Sequence, residues 1–233
     1  MKSAKCVNEV YLIGTIETNP VLNSEHNNVR YYRFLLRSNR KNGDYDMIPI
    51  TVDNRDPDTL NKIIAGNTIE IKGVFRSTNA KKENQKKALK MYIYAKEIAE
   101  VDANTKHINN VYITGYIIKP VIFRNTPKTK TPISDIIIAI NRNNSKSDYM
   151  VCIAWNNTAK ISKKMRIGDK IRLVGRFQSR EYMKQLDINT VESRTAYEIS
   201  IGYMDRENDK FNKNVNVPIT DINIGSYHTD AKN

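Results

Sequence analysis

The chain of 233 residues contains the same sequence pattern twice. Residues 8–14 (NEVYLIG) return as 109–115 (NNVYITG), and residues 66–77 (GNTIEIKGVFRS) return as 168–179 (GDKIRLVGRFQS). Both pairs lie about 102 residues apart, so the order of elements is kept over a whole domain. That period is too long for a solenoid repeat and equals the size of a small domain. We therefore predict a tandem duplication, with copy one at 1–105, copy two at 106–204 and a flexible tail at 205–233.

The net charge of +13 is concentrated in one of the two copies. Copy one carries +4 and copy two +10, while the tail carries −1. A positive field of this size attracts polyanions, whether nucleic acid or anionic lipid, although solubility alone is an alternative explanation. Its concentration in one of two otherwise similar copies favours a binding role.

Composition also indicates the cellular environment. No apolar run reaches the ~20 residues that a membrane helix needs, and no apolar stretch follows Lys2 and Lys5 as it would in a secretory signal. Cys6 and Cys152 occupy non-equivalent positions in the two copies, which argues against a disulfide framework. We expect a cytoplasmic protein with no membrane partner.

The sequence of each copy predicts five short strands, with one helix between the third and the fourth strand. In copy one, the predicted strands are 7–17, 31–37, 47–52, 68–77 and 89–101, and the predicted helix is 59–65, with Asp58 as its N-cap and Gly66 just after its end. In copy two, the strands are 110–118, 133–141, 149–155, 170–179 and 195–204, and the helix is 159–166. Gly14, Gly73, Gly115 and Gly175 lie inside strands, where a strand bends to close a sheet. This order predicts an all-β protein with short helices: two tandem OB-folds, which are five-stranded Greek-key barrels, rather than two β-sandwiches.

Copy two contains a series of residues spaced along most of its length: NVYITG at 110–115, Pro120, Asp148-Tyr149, Trp155-Asn156, Ala159 and GDKIRLVGRFQSREY at 168–182. This series resembles the bacterial single-stranded DNA-binding proteins. Copy one resembles them only in its first and fourth strands. Most members of that family have one barrel and form tetramers, but a minority have two. The resemblance therefore implies a homodimer that supplies four OB-folds.

The family's stacking aromatics fall on Tyr149, Trp155 and Tyr182 of this chain. A protein that holds single strands without reading sequence needs such flat side chains beside a basic groove. The alternative for Trp155, the only tryptophan, is a place in the core. We align Tyr149 and Trp155 with Asp46 and Val52 of copy one. A face that accepts both tyrosine and aspartate is expected to be exposed, because burying an unpaired carboxylate is costly.

The fourth strand indicates an outward basic stripe that copy one has largely lost. Arg176, Gln178, Arg180 and Tyr182 correspond there to Val74, Arg76, Thr78 and Ala80. A solvated strand face is the alternative. Two predicted connections, 123–132 and 182–194, add cations where OB-folds wrap oligonucleotides. The predicted contacts to the DNA backbone are Arg76, Arg124, Lys128, Lys130, Arg142, Arg176, Arg180 and Lys184.

The sequence lacks the patterns of catalysis or metal binding. It has no phosphate-binding P-loop, and His26, His107 and His228 are isolated from one another and from cysteines. We therefore expect no enzyme activity, no cofactor and no metal. The chain also lacks the acidic tip ending in phenylalanine by which many family members recruit repair and replication enzymes.

These observations predict a protein that binds and protects single-stranded DNA during replication, recombination or repair. One alternative is an OB-type primosomal or plasmid-replication accessory protein that acts mainly through protein contacts. The other is an RNA-binding OB module, which would read the 2′-hydroxyl.

Overall fold

The computed structural model describes residues 6–81, 87–142, 146–185, 187 and 190–207. These residues form twelve strands and two short helices. The elements of copy one are β1 (Asn8–Ile16), β2 (Val21–His26), β3 (Val29–Asn39), β4 (Tyr45–Asp53), α1 (Pro57–Asn61), β5 (Thr68–Lys81) and β6 (Lys87–Glu100). The elements of copy two are β7 (Ile108–Ile117), β8 (Ile122–Asn125), β9 (Pro132–Asn141), β10 (Ser147–Trp155), α2 (Asn156–Ser162), β11 (Lys170–Gln185) and β12 (Val191–Arg206).

Each copy closes into a small barrel. In copy one the strands pair in the order β1-β3-β4-β6-β5, and β5 returns to β1. Copy two repeats this as β7-β9-β10-β12-β11 and back to β7, with β10 and β12 parallel, as β4 and β6 are in copy one. The prediction of two tandem OB-folds is confirmed. β2 and β8, which pair with β3 and β9, were not predicted.

The strand glycines lie where the barrels close. β11 carries a bulge between Val174 and Gly175, and β5 carries one between Lys72 and Gly73. A Cβ on Gly175 would come within 2.5 Å of the Ser200 carbonyl oxygen. Only glycine permits this approach of two backbones, so the predicted bends are confirmed at these positions.

The two barrels share one continuous sheet. β1 pairs with β7 in antiparallel register, with Val10 opposite Val111. On the core side of this junction, the Phe75 and Phe177 rings are both fully buried and their centroids are 6.5 Å apart. The two copies therefore pack as an internal pseudo-dimer, and their cores meet across the junction.

Both helices begin earlier than predicted. α1 starts at Pro57, because the Asp56 side chain accepts hydrogen bonds from the Asp58 N–H and the Thr59 hydroxyl. Asp56, not Asp58, is thus the N-cap, and the helix ends well before Gly66. Gly66 has φ +94° and turns the chain into β5, with its N–H donating to the Ile16 carbonyl oxygen at 2.8 Å. α2 occupies Asn156–Ser162 rather than 159–166.

The predicted tail lies mostly outside the described residues, which end at 207. Asp205 and Arg206, placed in the tail by the sequence analysis, belong to β12, where Asp205 pairs with Arg172 of β11. The longer of the two described helices, α2, has 7 residues, and neither helix could cross a membrane.

Candidate nucleic-acid interface

The two faces of β10 differ, and on the outer face Ile153 alone is buried. Met150, Cys152 and Ala154 point into the barrel and are fully buried. On the outer face, Tyr149 is 40% exposed and Trp155 is partly exposed. The indole is therefore not sealed in the core, and the outer face of β10 carries aromatic rings that solvent can reach.

The alignment of this strand between the copies was wrong by one residue. β4 and β10 each have 9 residues, and their second residues are Asp46 and Asp148. Tyr149 therefore corresponds to Met47, and Trp155 corresponds to Asp53. Asp46 is buried, not exposed, so the argument that this face accepts aspartate in copy one fails at that position.

Asp148 is the centre of a cluster that joins the copies. Its carboxylate accepts hydrogen bonds from Arg142 of its own copy and from the Ser77 N–H of copy one at 2.6 Å. Arg76 of copy one also lies 3.3 Å from it. The Ser77 hydroxyl oxygen in turn accepts the Tyr149 N–H at 2.7 Å. The buried carboxylate is thus neutralised by two arginines, one from each copy.

Asp46 forms the equivalent cluster on the other side of the junction. It accepts from Arg40 of its own copy, from Arg176 at 2.7 Å and from the Ser179 N–H at 3.0 Å. The Met47 N–H donates to the Ser179 hydroxyl oxygen at 2.8 Å. The two clusters differ in the position of the arginine that comes from the other copy. The copy-two equivalent of Arg76 is Gln178, and Asp46 is paired instead with Arg176, two residues earlier on β11.

Three arginines predicted to contact DNA are engaged in these clusters. Arg76 and Arg142 bind Asp148, and Arg176 binds Asp46. Burial lowers the pKa of Arg176, although the Asp46 charge opposes this shift. Gln178, predicted to face outward, is 8% exposed and bonds to Arg176 and Glu198. The first half of the predicted outward stripe on β11 is therefore not free, since Arg176 pairs with Asp46 of copy one and Gln178 is buried within copy two.

The second half of the stripe is exposed on a long hairpin. The predicted connection at 182–194 is largely strand, because β11 and β12 stay paired from Arg180 opposite Ala196 to Gln185 opposite Val191. Tyr182 is 37% exposed, and the Arg180 guanidinium lies 5.9 Å from its ring centroid. Lys184 is exposed further along the same strand. This hairpin therefore presents an aromatic ring flanked by cations.

The first connection of copy two contributes two exposed lysines and one paired arginine. Arg124 on β8 forms a two-pronged ion pair with Asp135 at 2.9 and 3.1 Å, which raises the pKa of Arg124 through that hydrogen bonding. Lys128 and Lys130 are exposed in the turn between β8 and β9. The β8–β9 hairpin, predicted as a loop, is held together by Thr126, Thr129 and Thr131.

Nothing in the described residues suggests a metal centre. There, no group of three or more histidine, cysteine or acidic side chains is placed to hold a metal ion. Burial raises the pKa of Cys152 above its ordinary value, since this thiol is enclosed in the barrel. The exposed surface of copy two thus offers aromatic rings and cations but, among the described residues, no metal-binding group.

This combination can be compared with known proteins. The family model described as "Single-strand binding protein family" matches residues 108–206. Copy two is therefore similar to the single-strand binding protein family over almost its whole length. The match contains every aromatic and basic residue of copy two discussed above, and the resemblance inferred from the sequence is confirmed.

Solved structures extend the family fold to both copies. The wild-type single-stranded DNA binding protein from Thermus aquaticus aligns with a TM-score of 0.70 and 17% identity, covering 90% of this chain and 97% of that one. A deletion mutant of the same protein aligns with a TM-score of 0.70 and 17% identity, covering 91% and 100%. At this identity the similarity establishes the fold. None of the curated proteins compared matches the sequence.

Proposed function

We propose that this protein binds single-stranded DNA without reading its sequence, in replication, recombination or repair. The observation that carries the proposal is the exposure of Tyr149, Trp155 and Tyr182 on a barrel of the single-strand binding protein family. Because every base has a π-face, stacking on such rings tolerates any sequence and is worth about 1–3 kcal/mol per base. Copy two is proposed as the main binding half.

Phosphate neutralisation supplies the second part of the binding energy. The proposed backbone contacts are the exposed cations Lys128, Lys130, Arg180 and Lys184, together with Arg124 on the same barrel. We leave Arg76, Arg142 and Arg176 out of this set, because their charges are matched by buried aspartates. Binding through the remaining cations releases counterions, so affinity falls steeply as salt increases.

Copy one has a supporting role in this proposal. It contributes Ser77 and Arg76 to the cluster beneath Tyr149 and completes the pseudo-dimer. Two chains would then supply four barrels as a homodimer. We place the protein in the cytoplasm and assign it no catalytic role.

The experiment compares binding of a labelled dT oligomer to the wild type and to Tyr149→Ala and Tyr182→Ala. Loss of one stack predicts a fall in affinity of about 5- to 150-fold per variant. Ile167→Ala is the control, because Ile167 is 59% exposed in the turn before β11, outside the proposed contact set. Unchanged affinity in both folded tyrosine variants would contradict the proposal. Competition by a matched RNA oligomer separates DNA binding from the RNA-binding alternative.

A further inference from the structure

A groove lies where the two copies cross. Its volume is about 410 Å³, within the range of about 300–1,000 Å³ that is usual for ligand sites. Copy one forms one wall with the start of β6, and copy two forms the other with β10 and the β11–β12 hairpin. The lining residues used here are Leu89, Met91, Val151, Tyr182, Arg194 and Tyr197.

Both walls are fixed by the aspartate clusters. The Asp148 cluster holds β5, the strand paired with β6, against the start of β10. The Asp46 cluster holds β11 against the start of β4. The groove therefore lies between two rigidly joined barrels and requires both copies to exist.

The walls suit a flat, partly apolar ligand. Val151 lies between Tyr149 and Trp155 on the outer face of β10, so the groove continues from the proposed stacking surface. Tyr182 belongs to both the groove and the proposed stacking surface. On the inner side, the Tyr197 ring packs on the buried Phe177 ring, with 5.8 Å between centroids. Leu89 and Tyr197 are only partly buried, which leaves them available to a ligand.

The charged side chain that lines the groove is Arg194 of β12. It is partly exposed, and its guanidinium pairs with Glu192, whose side chain is 47% exposed. A solvent-exposed pair of this kind contributes little to stability, so the guanidinium can also serve a phosphate at the groove.

We propose that this groove is the crossing point at which a single DNA strand passes from copy two to copy one, with a nucleobase held between Leu89 and Tyr197. The inference rests on the proposed function and adds copy-one residues to the binding path. Arg194, whose pair with Glu192 is exposed to solvent, supplies positive charge for a flanking phosphate. Copy one is then part of the DNA site and not only its support.

The test places a new fluorophore in the groove. In a Trp155→Phe background, Leu89→Trp becomes the single tryptophan, and saturating oligo-dT is expected to quench it to the degree that it quenches Trp155 in the wild type. Thr195→Trp, exposed on the opposite wall, reports separately whether DNA reaches the copy-two side of the groove. Ile167→Trp in the same background is the control and is expected to keep its emission.

The outcomes separate this inference from the proposed function. Quenching at position 89, on the copy-one wall, supports the crossing point, whereas quenching at position 195 alone shows only that DNA follows the copy-two hairpin and overturns it. If Trp155 of the wild type is quenched while neither groove tryptophan responds, the crossing point is overturned and the proposed function stands. If groove emission changes with protein concentration before DNA is added, a second copy of the chain covers the groove, which also overturns the inference. An unresponsive Trp155 in the wild type contradicts both.

Discussion

The Tyr149 N–H donates a 2.7 Å hydrogen bond to the Ser77 hydroxyl oxygen, so a residue of copy one fixes the strand that presents a copy-two tyrosine. The Ser77 N–H also donates to Asp148, the residue before Tyr149. Two adjacent residues of β10 are therefore bound to one serine of the other copy. This arrangement gives copy one a direct influence on the proposed stacking surface.

Replacing Ser77 with alanine is expected to lower both stability and DNA affinity. The Tyr149 N–H loses its partner, which costs about 1 kcal/mol in the free energy of unfolding. Because Tyr149 is then less firmly placed, we expect a few-fold weaker binding of oligo-dT. Urea unfolding and anisotropy titrations measure the two effects.

Ser179→Ala is the matched variant, since Ser179 accepts the Met47 N–H in the equivalent position. It is expected to cost similar stability but to leave affinity unchanged, because Met47 carries no aromatic ring. Equal losses of affinity in the two serine variants would argue against a specific effect on Tyr149.

Substitutions of the arginines and lysines of copy two are expected to fall into two groups: those that lower stability and those that lower the salt dependence of DNA binding. Arg142→Gln should destabilise the protein by about 3 kcal/mol, the lower end for breaking a buried ion pair, because Arg76 remains on Asp148. Lys184→Gln should leave stability unchanged and reduce the slope of log affinity against log salt by about 0.7. A lowered salt slope in Arg142→Gln without loss of stability would instead indicate that Arg142 contacts DNA.

His107 predicts a dependence of stability on pH. Burial, assisted by the Arg37 charge, lowers the pKa of His107, and its Nδ1 accepts the Asn39 N–H at 2.9 Å. The neutral ring is therefore favoured in the fold, whereas the unfolded chain takes up a proton at about pH 6.5. Stability should fall as the pH drops below about 6.5 and through the lowered folded pKa.

His107→Gln provides the comparison, since His26 and His228 are unchanged in it. Urea unfolding between about pH 5 and pH 8 should show a weaker pH slope in the variant than in the wild type. Identical slopes would show that His107 does not titrate differently on folding.

The duplication made most of the fold predictable. Two aligned copies of strands β1 and β5 gave the barrel order, and the strand glycines marked the places where β5 and β11 bend. The short edge strands β2 and β8 were missed because their exposed residues show no alternation of apolar and polar side chains. The hairpin beyond Ser179 was underestimated for the same reason, since its β11 residues from Arg180 to Gln185 are all exposed.

The site was less predictable than the fold, because a shift of one residue reverses the faces of a strand. The sequences of β4 and β10 share few residues, and the shared aspartates were the signal for the true register. Arg40 and Arg142 precede Asp46 and Asp148 by the same six residues in both copies, which could have revealed the ion pairs. Contacts between the copies, such as Arg176 with Asp46, have no sequence signal of their own.

The emission of Trp155 upon addition of oligo-dT is the most direct test of the central claim, that copy two stacks bases on exposed aromatic rings. Because Trp155 is the only tryptophan and is partly exposed on the outer face of β10, its signal reports on that face alone. We predict saturable quenching that reverses as salt is raised. Unchanged emission at oligo-dT concentrations well above those of the protein, in low salt, would contradict the account.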